Sequence, residues 1–376
     1  MFSACTRPTR ARRKTVHGLG VSLLRFCKPA LVLAIAASSS KPIRAADEGE
    51  TARMPASMGA LGDSMTAGAL AMFKRQDFVL PWTEFMVALR AIAYGLTNEL
   101  STVESRKLSW AAGFDKARRV ESHSYRLTQI QHLKKQIPTY NAAISGAESE
   151  HVLATQVDRL SEWSLKTVKK PFPDYVTLMI GPNDACADST DQMLDTNTYY
   201  SNVSKVIDEM LARSSDTKIV VGSIPNIETL RGVAKDARLY WGISCGELWE
   251  KVKLCPTLTT LSDPYQRAIV AARIQDYNSA LQQIVETRRV DFGDRIRFAS
   301  QTYKEVFTAN ELSIDCFHPN SHGQDRIANA TWNASWWTKE WTKRRAEIVA
   351  EEKRKKELRC RMSQRGGRGA SPVPGC

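Results

Sequence analysis

The chain lacks the features that mark membrane-spanning, metal-binding and nucleotide-binding proteins. Cys316, His318 and His322 could ligate a metal, but the sequence has no Cys-x-x-Cys pair and no second His cluster to complete four ligands. It has no internal repeat and no Gly-rich loop of the kind that cradles phosphate. After residue 46, no apolar run approaches the roughly 20 residues that span a bilayer. We therefore expect no metal, no cofactor and no membrane-spanning helix in the body of the protein.

Acidic residues are absent from positions 1–46, which carry nine Lys and Arg. There, basic residues precede an apolar run at 29–37 and then a group of small residues. This order is typical of a secretory signal peptide, and the apolar run is too short to span a bilayer. We predict a cleaved leader over 1–46, and a protein that is secreted or lies in the lumen of the secretory pathway. A retained anchor or a basic arm is the alternative.

The formal net charge of +13 belongs to the two ends of the chain. Residues 339–376 carry twelve bases and five acids, which leaves residues 47–338 with a net charge of −3. A mildly acidic body argues against a nucleic-acid partner. We predict a monomeric folded domain at 47–338. The remaining residues, 339–376, are predicted to form a basic, partly disordered tail that could contact an anionic membrane.

Apolar runs and helical patterns alternate along the predicted domain. Continuous apolar runs are typical of buried parallel strands, whereas the segments between them have helical periodicity. The alternation predicts an α/β fold in which helices cover both faces of a parallel sheet. The predicted strands cover 58–61, 175–180, 219–224 and 295–299, and the predicted helices cover 69–95, 148–166, 197–213 and 265–289.

Three short strings contain the residue types that acyl transfer requires. They are Gly62-Asp63-Ser64, Gly181-Pro182-Asn183-Asp184 and Asp315-Cys316-Phe317-His318. A serine hydroxyl needs a neighbouring base, and the base needs an acid that fixes its tautomer. Ser64, His318 and Asp315 could fill these three roles, and Asn183 could donate a hydrogen bond to the oxyanion.

Each string alone also has an ordinary explanation. A Gly-Asp-Ser tripeptide is common in turns, and Asp-x-x-His is often a capping carboxylate near a surface histidine. His322 competes with His318 as the base, although the spacing from Asp315 favours His318. Asp63 and Asp184 are expected to hydrogen-bond local backbone.

With the strings in this order, the chain resembles the SGNH or GDSL hydrolase superfamily, and more narrowly its phospholipase B-like branch. The resemblance spans about residues 55 to 337, and its blocks are 60–68, 141–147, 180–186 and 315–319. It implies a three-layer α/β/α fold with a flavodoxin-like parallel sheet, and a serine hydrolase mechanism without a metal. It also implies that the Gly146 amide completes an oxyanion hole with Asn183 and the Ser64 amide.

The resemblance further implies a carboxylic-ester hydrolase that cleaves lipid acyl esters, such as phospholipids or lysophospholipids, through an acyl-enzyme. The same site could serve an acetyl esterase or a thioesterase, because its catalytic groups contact only the ester carbonyl. Loops at 95–130 and 226–265 would then recognise the leaving group and the chain length. A secreted, non-catalytic protein that binds anionic surfaces is the alternative from another functional class.

Six cysteines follow the predicted leader, an even number that is typical of disulfides in a secreted chain. Cys245 and Cys255 flank a short segment and could form a local bridge. Cys186 and Cys316 lie within the site strings and could pair with each other, although six cysteines allow many connectivities. The candidate glycosylation sites, in N-x-Ser/Thr sequons, are Asn202, Asn329 and Asn333.

Overall fold

Five parallel strands form the centre of the protein in the computed structural model, which describes residues 52–74, 103–239 and 242–365. The strands are β1 (Met58–Gly62), β2 (Thr139–Asn141), β3 (Tyr175–Met179), β4 (Lys218–Gly222) and β5 (Ile296–Ala299). Their order across the sheet is β2-β1-β3-β4-β5, and every neighbouring pair is parallel. This is the strand order of a flavodoxin-like fold. Because the strands share one direction, their carboxyl ends lie along a single edge of the sheet.

Helices connect the strands. The described α-helices are α1 (Ser64–Ala67), α2 (Val103–Arg106), α3 (His123–Ile130), α4 (Ser149–His151), α5 (Val157–Thr167), α6 (Thr196–Arg213), α7 (Leu230–Ala234), α8 (Cys245–Val252), α9 (Pro256–Thr259), α10 (Pro264–Phe292), α11 (Ser321–Trp332) and α12 (Thr338–Arg365). A single π-helical turn, Val152–Gln156, lies between α4 and α5. Among the described helices, none combines the length and apolar character needed to cross a bilayer.

Hydrophobic clusters lie on both faces of the sheet, because successive strand residues point to opposite sides. On one face, Met58 and Ala60 belong to a cluster that includes residues of α3, α11 and α12. On the other face, Leu61 belongs to a cluster that includes residues of α5, α6 and α10. Every residue of β1 and β3 is buried. The predicted three-layer α/β/α fold is therefore confirmed.

The four predicted strands occur within two residues of their predicted bounds. Strand β2 is missing from the prediction, because three half-buried residues produce neither a long apolar run nor a clear alternation. The helix predicted over 69–95 is wrong at its start, since residues 69–74 form turns and irregular backbone. Its remainder lies outside the described residues, as do the predicted leader and residues 366–376.

The long helix α12 packs against the domain over its first half. Trp341 and Ile348 are buried in the cluster that contains α3 residues, and Arg344 Nε donates to the Gln129 carbonyl oxygen at 3.0 Å. The domain boundary predicted at 338 therefore falls at the start of a helix that continues the folded body. Residues 353–359, further along α12, are all exposed.

Candidate active site

Ser64 lies at the turn between β1 and α1, at the carboxyl edge of the sheet. Gly62 ends the strand with a φ of +150°, and a Cβ atom there would lie 2.3 Å from the Met179 carbonyl oxygen. The Gln156 side chain holds the Gly62 peptide through two hydrogen bonds of 2.8 Å. Asp63 caps α1 by accepting the N–H of the second residue after it at 2.9 Å. These contacts fix the backbone that precedes Ser64.

The loop that carries Asp315 and His318, near the end of the domain, places His318 beside Ser64. His318 Nε2 lies 2.8 Å from Ser64 Oγ, and His318 Nδ1 lies 2.5 Å from Asp315 Oδ2. Asp315 is fully buried, and its Oδ1 accepts the backbone N–H groups of Phe317 and His318 at 3.0 Å each. The three side chains thus form one hydrogen-bonded chain. His322, the competing histidine, is exposed at the start of α11.

Gly146 lies on the loop that follows β2, and Asn183 lies on the loop that follows β3, so both are at the carboxyl edge of the sheet. Asn183 Nδ2 donates to the Ala147 carbonyl oxygen at 2.9 Å, which ties the two loops together. Asn183 also lines the cleft beside Ser64. Gly146 is exposed and has a φ of +76°, which glycine adopts without strain. Ser64 is the first residue of α1, so its backbone N–H has no intrahelical acceptor.

A mainly apolar cleft opens beside Ser64 and His318. Its apolar walls come from Met65, Pro182, Ile227, Leu230, Val233, Phe307 and Phe317. The Phe317 ring packs edge-on against the His318 imidazole, with ring centroids 5.2 Å apart. Such a cleft suits an apolar group that is bonded to a reactive carbonyl.

Burial perturbs two carboxyl groups near the site. It raises the pKa of Asp63 to about 7, although a backbone hydrogen bond opposes the change. Within the described part of the chain, Asp63 Oδ2 has no hydrogen-bond partner. Asp184 accepts hydrogen bonds from the N–H and the hydroxyl of Ser149, and burial raises its pKa to about 6. Asp63 bonds local backbone as predicted, whereas the prediction for Asp184 is wrong because its partner lies 35 residues away.

Asp315 controls the basicity of His318 as well as its orientation. Burial alone would lower the pKa of His318, but the charge and hydrogen bond of Asp315 outweigh it, and the pKa is raised. The nearby charge of Asp63 acts in the same direction. A partner that stabilises the imidazolium is what a histidine needs to accept a proton from a hydroxyl.

The four cysteines near the site pair differently from the prediction. Cys186 is bonded to Cys255, and Cys245 is bonded to Cys316, with Cα separations of 4.9 and 5.7 Å. The predicted Cys245–Cys255 bridge is wrong: the helix α8 occupies most of the segment between the two residues, and each of them bonds instead to a cysteine on a site loop. The predicted Cys186–Cys316 bridge is also wrong, since Cys186 bonds to Cys255, which follows α8, and Cys316 bonds to Cys245, which begins α8.

The three sequons differ in how their side chains are used. Asn202 Nδ2 donates to the Ser149 hydroxyl at 3.1 Å. The Asn329 amide hydrogen-bonds two charged side chains, those of Arg126 and Asp325. Asn333 is exposed at the end of α11 and has no side-chain hydrogen bond within the described part of the chain. Asn202 is half-buried, and of the two exposed residues, Asn329 and Asn333, Asn333 has the side chain that makes no hydrogen bond in this part of the structure.

Three side chains support the site without any signal in the sequence. Gln156 lies in the π-helical turn, 94 residues from the Gly62 peptide that it holds. Gln324 Nε2 donates to the Met65 carbonyl oxygen at 3.0 Å, across 259 residues. Trp249 Nε1 donates to the carbonyl oxygen of Asp315 at 3.1 Å. Only the π-helical turn has a general association with functional sites, and it is visible only in the structure.

A family model described as the GDSL-like Lipase/Acylhydrolase family matches residues 109–326. The match covers more than half of the chain and includes Gly146, Asn183, Asp315 and His318. The chain belongs to this family. Membership confirms the resemblance seen in the sequence and supports carboxylic-ester hydrolysis. Ser64 lies before the matched residues, so its prediction as the nucleophile depends on the Gly62-Asp63-Ser64 tripeptide and on the geometry around it.

Curated relatives of this GDSL-family chain include two membrane-associated phospholipases B1. The protein of Mus musculus is 24% identical over 308 residues, which cover 73% of this chain and 19% of the relative. The protein of Homo sapiens is 24% identical over 211 residues, which cover 51% of this chain and 14% of the relative. The matched part is therefore about a fifth or less of the length of these relatives.

Similar solved structures include a carbohydrate esterase and a lipase. The Clostridium thermocellum family 3 carbohydrate esterase is 16% identical with a TM-score of 0.37, covering 74% of this chain and 94% of the esterase. The extracellular lipase of Streptomyces rimosus is 16% identical with a TM-score of 0.35, covering 73% of this chain and 99% of the lipase. Likenesses at this level carry no information about the substrate.

The raised pKa of Asp63 predicts a pH dependence of stability. A carboxyl whose pKa rises from 3.8 to about 7 on folding contributes stability below 3.8, and the contribution is lost as the pH rises through 7. Asp63→Asn cannot ionise. We therefore expect its free energy of unfolding, relative to wild type, to increase by up to about 4 kcal/mol between pH 4 and pH 8. Urea unfolding at both pH values measures this difference.

Asp236→Asn serves as the control, because the Asp236 side chain is 88% exposed. Its stability relative to wild type should change little over the same pH range. A constant difference between Asp63→Asn and wild type at the two pH values would contradict the raised pKa.

Proposed function

We propose that the protein hydrolyses acyl esters, with Ser64 as nucleophile, His318 as base and Asp315 as the acid that orients the base. The observation that carries the proposal is the hydrogen-bonded chain of these side chains, which ends at an apolar cleft. A binding protein would have no use for a nucleophile, a base and an orienting acid held in contact. The GDSL family assignment supports the same chemistry.

In the proposed first step, Ser64 Oγ attacks the acyl carbonyl carbon while His318 Nε2 accepts its proton. The 2.8 Å contact is short enough for direct transfer. Asp315 keeps the proton on Nδ1 and stabilises the imidazolium that forms. His318 then returns the proton to the leaving alcohol, and the acyl group stays on Ser64. Water, deprotonated by the same imidazole, finally releases the carboxylic acid.

Negative charge on the carbonyl oxygen requires hydrogen-bond donors that are already in position. We assign this role to Asn183 Nδ2 and the backbone N–H groups of Gly146 and Ser64. The contact of Asn183 with Ala147 uses one amide hydrogen and leaves the other for the oxyanion. The same contact holds the Gly146 loop against the Asn183 loop.

Lipid acyl esters are the proposed substrate class. Ile227, Leu230 and Phe307 are at most 7% exposed, and Val233, at 38%, extends the apolar lining outward. Each methylene buried on such a surface contributes about 0.8 kcal/mol, so a long acyl chain gains much more than an acetyl group. The names of the phospholipase B1 relatives agree with phospholipid or lysophospholipid esters.

A secretory route fits the same proposal. Residues 1–46 have the pattern of a signal peptide, and disulfides persist mainly in oxidising compartments. The exposed sequon at Asn333 would be accessible to glycosylation in the secretory lumen.

Steady-state hydrolysis of esters that differ only in acyl length tests the mechanism and the substrate class. We expect kcat/KM to rise with chain length from acetyl to long acyl groups. Ser64→Ala should lower kcat by about a millionfold, whereas Asn183→Ala should lower it by about a hundred- to a thousandfold, since it removes a single oxyanion donor.

Ser164→Ala is the matched control, because Ser164 is a buried serine on α5, outside the cleft. It should retain wild-type kcat. Wild-type turnover by purified Ser64→Ala would end the mechanism. A kcat/KM that is highest for acetyl esters would favour an acetyl esterase.

We also propose that the exposed end of α12 contacts an anionic membrane. Arg344, near the start of α12, bonds Gln129 at the end of α3, whereas Glu352 pairs with Arg118, which precedes α3. The two helices are therefore antiparallel. Helix α3 returns the chain between the parallel strands β1 and β2, so it runs against the strands. Helix α12 runs with them, and its exposed end points toward the edge that carries Ser64.

The composition of this end suits a lipid surface. Residues 353–362 contain six Lys and Arg and a single Glu. Leu358 and Met362, one turn apart, are 58% and 65% exposed. Clustered cations are attracted to anionic headgroups, and exposed apolar side chains can enter the interface. Contact there would bring the cleft toward its lipid substrate.

Vesicle binding tests the membrane proposal. Each Lys near an anionic surface contributes about 1 kcal/mol, so Lys355→Gln/Lys356→Gln should bind phosphatidylserine-containing vesicles about thirtyfold more weakly than wild type. Added salt should reduce wild-type binding. Lys134→Gln/Lys135→Gln is the matched control, because these exposed lysines precede β2, at the opposite edge of the sheet. Equal weakening by both pairs would contradict a specific role for α12.

A further inference from the structure

Residues 226–260 line the cleft with their first part and contact both loops of the proposed active site with their second part. We call them the wall segment; its described residues are 226–239 and 242–260, and it contains α7, α8 and α9. Its first part lines the cleft through Ile227, Leu230 and Val233. Its second part carries one cysteine of each disulfide described above.

The start of α8 is bonded to the loop that carries Asp315 and His318. Cys245 is joined to Cys316, which directly follows Asp315. One turn further along α8, Trp249 Nε1 donates to the Asp315 carbonyl oxygen at 3.1 Å. Both cysteines, Trp249 and Asp315 are fully buried. A disulfide at the next residue and a buried hydrogen bond to its own carbonyl oxygen thus hold Asp315, the residue that orients the base.

The region after α8 is bonded to the loop that carries Asn183. Cys255 is joined to Cys186, whose backbone N–H donates to the Asn183 carbonyl oxygen at 3.0 Å. Thr257 forms three hydrogen bonds, of 2.7, 3.1 and 3.2 Å, with the residues on either side of Cys186. The proposed oxyanion donor is therefore attached to the same segment as the acid and the base.

Two of these cysteines have a backbone conformation that is uncommon for residues other than glycine. Cys255 has a φ of +50° and Cys316 a φ of +58°. Such conformations are strained, and they persist where surrounding contacts fix the backbone. Each lies at a disulfide that joins the wall segment to a site loop. The crosslinks hold the loops in shapes that the local sequence alone would not favour.

The wall segment is itself held together between the cleft lining and the disulfides. Arg231 Nη1, on α7, donates to the Thr259 carbonyl oxygen at the end of α9 at 2.8 Å. The backbone N–H groups of Cys245 and Gly246 donate to carbonyl oxygens at 235 and 237, each at 2.8 Å. A displacement of the cleft wall would therefore be transmitted to both site loops.

We propose that the wall segment is a positioning clamp for ester hydrolysis. Through Cys245–Cys316 and Trp249 it holds the base and its acid, and through Cys186–Cys255 and Thr257 it holds Asn183. Its cleft-facing side chains contact the acyl chain at the same time. The inference rests on the proposed function and goes beyond it, because it assigns a catalytic consequence to two disulfides that do not touch substrate.

Two double variants test the two halves of the clamp separately. Cys245→Ala/Cys316→Ala releases the base, and Cys186→Ala/Cys255→Ala releases the oxyanion donor. A misplacement of about 1 Å can cost about a hundredfold in rate, so each should lower kcat for a long-chain ester by about that factor. KM should change little, because the apolar walls remain. Trp249→Phe should lower kcat less, since it keeps the ring and removes only the N–H donor.

The pH profile distinguishes an effect on the base from an effect on the oxyanion donor. The charged groups that face His318 are Asp315, on its own loop, and Asp63, at the turn after β1. A loosened Asp315 supports the imidazolium less, so the acidic limb of kcat/KM should move to lower pH in Cys245→Ala/Cys316→Ala. The limb should stay in place in Cys186→Ala/Cys255→Ala.

Ile284→Ala separates positioning from general loss of stability. Ile284 is fully buried on α10, and truncating it should destabilise the protein about as much as removing a disulfide. This control should keep wild-type kcat wherever it remains folded. The clamp is overturned if both double variants keep wild-type kcat, or if they lose no more than Ile284→Ala does at an equal fall in Tm.

A proton NMR measurement tests the clamp without any substrate. The His318 Nδ1 proton, shared with Asp315, should give a strongly downfield resonance in wild type and in Cys186→Ala/Cys255→Ala. In Cys245→Ala/Cys316→Ala, the resonance of the His318 Nδ1 proton should weaken or shift upfield. An unchanged resonance there would contradict the clamp. A wild-type protein that hydrolyses no ester would instead refute the proposed function and leave this readout valid.

Discussion

The hydrogen bond between Ser64 and His318 joins residues 254 positions apart, and the rest of the fold keeps these two side chains in contact. Parallel strands make this possible, because the chain returns to the same sheet edge after each strand. Gly62 and Gln156 hold the turn before Ser64, while Asp315 holds His318. Ser64 thus lies at the end of a strand of the sheet, whereas His318 lies on a loop that other contacts hold in place.

The two buried carboxyl groups near this hydrogen bond, those of Asp315 and Asp63, differ in how completely hydrogen bonds replace the water that they lose. Asp315 is fully buried, and its two carboxyl oxygens accept three hydrogen bonds that replace those lost to water. Asp63, equally buried, leaves one oxygen without a partner in the described part of the chain, and its pKa rises to about 7. The protein therefore tolerates one poorly compensated carboxyl directly before the proposed nucleophile. Sites that combine strain and incomplete pairing are typical of functional regions.

Local sequence patterns predicted the parts of the fold that depend on local physics. Buried parallel strands are continuous apolar runs, so β3 and β4 were recognisable, whereas three-residue β2 was not. Asp315 and His318 are three residues apart, and their pairing follows from that spacing. Gln156 and Trp249 act across 94 and 66 residues and have no sequence signal. The predicted disulfide pairing is wrong for the same reason, since the bonded cysteines are 69 and 71 residues apart.

The most direct test of the proposed nucleophile is covalent labelling by an alkyl fluorophosphonate, followed by mapping of the modified peptide. We expect a single adduct on Ser64 that forms in the folded protein and is lost in Ser64→Ala and strongly reduced in His318→Ala. The Ser164→Ala control should label like wild type. Labelling of a different residue would contradict the central role of Ser64. No labelling of the folded wild-type protein would also contradict it and would favour a non-catalytic binding protein.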